Sequence, residues 1–221
     1  MKLLVLLSRF PHPLDKGDKL RAFHQLRCLA ARHEICLFAL SDEDVTPEAD
    51  AAVRPLCRGG LVVHRLRRPG IARNLSWALA TGRPLQVGYF YDAQAQRRFD
   101  KVLVRFQPAH IYCQLIRTAE YVRPHAGRWR MTLDYMDVFS AGMARRATQA
   151  PAWQRPVLAL EARRLRAWYR GALPVAALGA QAARTVADVY DTRRVIARFE
   201  DLYAQLLEPA PAGTPAHSPP A

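Results

Sequence analysis

The sequence predicts an α/β fold, a Rossmann-like doubly wound parallel sheet followed by an all-helical C-terminal segment, and three observations carry that prediction. Residues 2–7 (KLLVLL) and 34–40 (EICLFAL) are short, almost continuously apolar runs, the pattern of strands buried on both faces of a parallel sheet. An amphipathic stretch lies between them, so strand, helix and strand follow one another within about forty residues as a βαβ unit. Further strands and helices alternate up to residue 135, after which only helical patterns occur.

Taken in order, the first strand is bounded by Ser8, Pro11 and Pro13, and a loop runs to Gly17. Leu20, Phe23, Leu26 and Ala30 then recur at three and four, which predicts a helix over 18–32 with Asp18 as its N-cap. After the second strand, the acidic stretch 41–48 forms a turn. A helix over 47–56 is disturbed by Pro55, and a strand covers 61–66. A helix over 71–80 stops at Gly82 and Pro84, and another over 92–106 closes at Pro108. Short strands follow at 110–113 and 130–135, then helices at 140–147, 152–169, 178–190 and 192–207. The stretch 209–221, rich in Pro, Ala and Ser, is expected to be disordered.

The 221 residues are 50% hydrophobic, enough for one good core. The longest apolar run near the start, 3–7, is too short for a membrane span or a signal-peptide core, so the expected location is the cytoplasm. Cys28, Cys36, Cys57 and Cys113 share no C-x-x-C spacing and read as buried thiols, with neither a metal site nor a disulfide framework. Lys+Arg outnumber Asp+Glu by 33 to 19, a net charge of +14, which implies affinity for something anionic. Half of that excess falls between residues 141 and 200, where eleven arginines face four acidic residues.

Ligands of open α/β sheets bind beyond the carboxyl ends of the strands, which directs attention to the segments that follow each strand. Pro11-His-Pro-Leu-Asp-Lys-Gly-Asp-Lys19 joins the first strand to the first helix. Gly17 would let backbone N–H groups approach an anion, the helix N-terminus adds positive potential, and Lys16 and Lys19 add mobile charge. A plain β–α turn with solvated charges explains the same residues. Neither a dinucleotide fingerprint nor a P-loop is present, and no cofactor is indicated. Asp134 and Asp137, three apart at a strand end, could orient sugar hydroxyls or a proton transfer, although Asp137 or Ser140 could equally cap the next helix. Of the histidines, His12 is the one placed where a ligand could reach it. No residue is singled out as catalytic.

Pro13-Leu-Asp-Lys-Gly17-Asp18-Lys-Leu-Arg21, with Leu26, Leu29 and His33-Glu34-Ile35, resembles the opening of family-4-type retaining glycosyltransferases of the GT-B fold. Gly82-Arg-Pro84-Leu and Asp134-Tyr-Met-Asp137-Val-Phe-Ser140 are similar to a bacterial subgroup of exopolysaccharide sugar transferases, and the resemblance spans about residues 1–170. It implies sugar transfer from a nucleotide-sugar donor to a saccharide or lipid-linked acceptor. Gly17 and its neighbours, Asp18 among them, would face the donor phosphates, while Lys16, Lys19, Arg21, Asp134 and Asp137 would shape the acceptor side.

The sequence also departs from the pattern. Asp18 stands where many relatives have a second glycine, and Arg32 precedes His33 where they often have glycine. A Glu-x7-Glu-type motif after a glycine-rich loop, which the donor-binding half of the fold would supply, has no counterpart. Glu200 and Glu208 have the spacing but lie on a terminal helix. The expected organisation is therefore an acceptor-side domain over 1–170, closing helices over 171–208 that pack back on it, and the tail, with the donor domain missing and activity weak or absent.

A second reading is a non-catalytic basic module on the anionic inner face of the plasma membrane. Arg65, Arg67, Arg68 and Arg73 run into a helix carrying Trp77 and would face the lipid, although a solvated helix face explains them as well. Nucleic-acid binding is not expected, because no helix-turn-helix, zinc finger or aromatic RNA-binding strand is recognisable.

Overall fold

The computed structural model describes residues 1–134 and 139–171. The chain divides into two units between Leu173 and Pro174. Asp137, the helices expected within 171–208 and the tail expected over 209–221 lie outside the described residues.

Five parallel strands, β1 (Lys2–Leu7), β2 (Glu34–Ser41), β3 (Gly60–Arg65), β4 (His110–Gln114) and β5 (Met131–Asp134), form one sheet in the order β3-β2-β1-β4-β5. The fold is the α/β, Rossmann-like doubly wound sheet followed by helices. The direction of winding reverses between β1 and β4, and a crevice opens at such a point beyond the strand ends.

The helices are α1 (Gly17–Ala30), α2 (Pro47–Val53), α3 (Arg68–Ala80), α4 (Leu85–Phe90), α5 (Ala93–Phe106), α6 (Ala119–Val122), α7 (Phe139–Gln149) and α8 (Arg155–Gly171). Alternation along β1 explains the two layers. Leu4 and Leu6 join Phe38, Phe90, Phe99, Leu103 and Tyr121 on the face covered by α4, α5 and α6. Leu3, Val5 and Leu7 join Ala22, Leu26, Ala49 and Val53 on the face covered by α1 and α2.

Several boundaries differ from expectation for local reasons. Asp18 does not cap α1. The capping position is Lys16, which makes no side-chain cap bond, and Asp18 sits in the first turn. Helix α3 begins three residues early, at Arg68, because Pro69 is well placed in a first turn. The six-residue α4 escaped the sequence reading because it is too short to show periodicity. It rests so closely on α3 that a Cβ on Gly88 would lie 2.5 Å from that of Ala78. Its N-terminus is capped from 75 or more residues away: both Glu161 carboxylate oxygens accept backbone N–H bonds, from Leu85 at 2.9 Å and Gln86 at 3.1 Å. Pro55 ends α2 in a 3₁₀ turn, Arg54–Leu56, and Asp92 caps α5 by accepting from Gln94 and Ala95. Of the four cysteines, Cys28 is exposed, correcting the expectation of four buried thiols.

Candidate functional site

Two groups of polar side chains meet at the carboxyl edge of the sheet around the start of α1. The first follows β1 and β4. Arg9 donates to Asp18 at 2.9 Å, and the Arg117 guanidinium reaches to 4.0 Å from the same carboxylate. Both guanidiniums lie over the Phe90 ring, at 5.8 and 4.8 Å from its centroid, and Arg117 also donates to Gln86 at 3.1 Å. Beside them Tyr89 donates to Asp42 at 2.9 Å; burial, reinforced by Asp42, holds its phenol above the usual range.

The second group lies on the α1 side of β4 and β5. Because side chains alternate, Ile111, Cys113, Met131 and Leu133 face the core, leaving His110, Tyr112, Gln114, Thr132 and Asp134 on the opposite face. Arg21 donates to Asp134 at 3.0 Å. The Tyr112 hydroxyl lies 2.7 Å from Asp134 and 3.1 Å from Gln25, and with one proton it donates to the nearer carboxylate. Burial first, and Asp134 next, raise the Tyr112 pKa well above that of free tyrosine, so this phenol stays protonated.

The residues singled out from sequence divide accordingly. Arg21 and Asp134, 113 positions apart, are in direct contact. Lys16 and Gly17 open α1, and a Cβ on Gly17 would meet nothing within 4 Å, so the approach to this turn is clear. Lys19 is not mobile charge. Its side chain is 4% exposed and held 3.0 Å from Asp15 and 3.6 Å from Glu43, fastening the loop to the end of β2. The stretch proposed to face lipid is partly engaged elsewhere: Arg65 pairs with Asp44, while Trp77 stacks on Tyr91 at 5.2 Å beneath the Arg83 guanidinium at 4.4 Å. Arg67, Arg68 and Arg73 are exposed.

Arg9, Arg117, Tyr89, Tyr112 and Gln25 were missed. Arg9 and Arg117 stand two and three residues beyond β1 and β4, so the strand-end rule would have found them had the loops been read from their first residue.

The cleft between the loops after β1 and β2 holds about 30 Å³, room for a water and not for a sugar ring. A larger open groove of about 390 Å³ lies at the opposite, amino end of the strands, lined by Met1, Leu3, Cys28, Leu29, His33 and His110 among others. Its apolar lining and its place make it a poor match to the ligand end of an α/β sheet. Among the described residues no cluster of His, Cys, Asp and Glu could hold a metal ion, and no helix is long and apolar enough to cross a membrane. The chain matches no family model, no curated protein and no solved structure.

Proposed function

We propose that this chain is a glycosyltransferase-type domain of bacterial polysaccharide biosynthesis that holds a saccharide acceptor at the carboxyl ends of β1, β4 and β5. The observation that carries the reading is the Arg21–Asp134–Tyr112–Gln25 network. It joins the two segments whose sequences resemble the sugar transferases, and it offers a carboxylate, a guanidinium, a phenol and an amide within one hydrogen-bonded patch. Sugar hydroxyls, each donor and acceptor at once, are recognised by such mixed sets. Retaining transfer also requires stabilisation of a leaving diphosphate, and the two arginines beside the α1 N-terminus would contribute part of that field. They form one side of a two-sided site, so the 221-residue protein by itself is expected to bind acceptor and turn over little or no nucleotide sugar.

Saturation-transfer NMR with a panel of oligosaccharides tests the reading. The protein should bind at least one acceptor, and Arg21→Ala and Asp134→Asn should each weaken binding about tenfold, the scale of one lost charged hydrogen bond. Absence of saccharide binding, or binding indifferent to both changes, would overturn it. Ready turnover of a nucleotide sugar by the purified chain would overturn the one-sided part.

A further inference from the structure

We infer that the Asp18 carboxylate is a built-in competitor for a diphosphate anion: it occupies the place between Arg9, Arg117 and the start of α1, and the ligand binds there by displacing it. This deepens the proposed function, on whose placement of the phosphate it rests, by adding a regulation of that site. Asp18 engages the donors such a ligand would need. Its Oδ1 accepts the backbone N–H of Lys19 at 3.1 Å, one of the first N–H groups of α1, which have no partner within the helix. Its Oδ2 accepts from Arg9 at 2.9 Å and lies 4.0 Å from Arg117. Two guanidiniums and a helix N-terminus converging on one oxyanion are the donor set of a phosphate site.

One carboxylate does not balance this set. It brings a single charge to two guanidiniums, and Arg9 keeps an enclosed Nε–H that bonds to no acceptor among the described residues. Other acids of these loops are engaged: Asp42 accepts from Tyr89, and Asp15 and Glu43 pair with Lys16 and Lys19. The arginines have supports besides Asp18. Both lie over the Phe90 ring, and Arg117 donates to Gln86. The carboxylate is also within reach of a ligand. Its side chain is 18% exposed and that of Arg9 27%, and the space beside Gly17 is open. A diphosphate, with more charge and more acceptor oxygens, gains by replacing it. A monocarboxylate such as acetate would only exchange like for like, so the contact makes the site selective for multiply charged anions.

Titration calorimetry of the full chain with inorganic pyrophosphate tests this. The wild type should bind weakly. Asp18→Asn keeps the side chain's shape and removes the competing charge, so it should tighten binding at least about tenfold, the scale of one charged hydrogen bond. Arg9→Ala added to Asp18→Asn should return affinity to the wild-type level or below. Uridine diphosphate should follow the same order of variants, because the diphosphate is the shared group, and whichever of the two binds tighter tells a nucleotide-borne from a free diphosphate. Acetate should bind to none of them. In the wild type the Lys19 amide resonance should move as pyrophosphate is added, because its bond passes from Asp18 to the ligand; this readout decides the matter should Asp18→Asn fail to fold. Three results would each overturn the proposal. Asp18→Asn could bind pyrophosphate no more tightly than the wild type, which would make the carboxylate an organiser of the arginines. The tightening could survive Arg9→Ala, which would put the anion elsewhere on a chain of net charge +14. The Lys19 amide could stay unmoved by pyrophosphate. Saccharide binding is read at Arg21 and Asp134, so the acceptor reading stands or falls separately from these results.

Discussion

The sheet has two unequal halves. Across β1 and β2 both faces are covered: every residue of β1 after Lys2 and of β2 after Glu34 is buried, with α1 and α2 on one side and α4 and α5 on the other, while β3 closes this edge half-buried, with His64 inside. Across β4 and β5 one face is equally apolar, while the other carries His110, Tyr112, Gln114, Thr132 and Asp134. Five strands of similar backbone thus separate into a half that is apolar on both faces and a half with one polar face. The network on the second half borrows Arg21 and Gln25 from a helix whose other side packs on the first.

The sharpest way to break this division is to delete a ring from the covered half. Phe99 is fully buried and meets Phe38 edge to face at 5.5 Å. Phe99→Ala should lower unfolding free energy by about 3–5 kcal/mol, as core aromatic deletions do. Thr132→Ala, on the exposed face of β5, should change it by less than about 0.5 kcal/mol. Urea denaturation of both variants measures the contrast, and equal losses would mean that the two halves are equally structural.

The next effect concerns how the α7–α8 hairpin is tied to the covered half. Glu161→Ala leaves two N–H groups of α4 without their acceptor in a buried place. A loss of roughly 1.5–3 kcal/mol is expected, the scale for removing a charged hydrogen-bond partner. Glu161→Gln keeps one acceptor oxygen and should fall between Ala and wild type. Identical denaturation midpoints for all three would show that α4 is held by Gly88 on Ala78 and its other packing alone.

The same division explains what the sequence made legible. The covered half announces itself because burial on both faces requires unbroken apolar runs, and KLLVLL and EICLFAL admit little else. Strand β5 was recognisable at both ends, but that its Asp134 would meet Arg21 and Tyr112 depends on sheet order. No local pattern encodes that β4 lies beside β1. The engagement of Lys19 and Trp77 was not legible for a related reason. Each belongs to a polar or aromatic type common at surfaces, and each is engaged by partners from distant segments, Glu43 for the first and Tyr91 for the second. Short α4 carries no periodicity of its own, and its cap comes from Glu161.

The smallest expected effect sharpens the comparison through pH. His64, on the covered half, and His110, on the open one, both have their pKa lowered, in each case chiefly by burial. Asp92 opposes the shift at His64, where Arg98 adds to it, and Arg130 adds to it at His110. A depressed native pKa means that, as pH falls below about 6.5, the unfolded chain takes up a proton that the native state refuses. Stability from this source is therefore fully present above that pH and declines as the solution is acidified through the native values. The denaturation midpoint should drop between neutral pH and mild acid, and His64→Gln should flatten the drop. The two histidines lie on strands separated by β2 and β1, so their contributions should add, and the double change with His110→Gln should flatten it further. If His64→Gln leaves the slope intact while His110→Gln removes it, the face of β4 beside α1 is the more tightly closed of the two in solution. Its polar residues would then be a structural network rather than a binding surface.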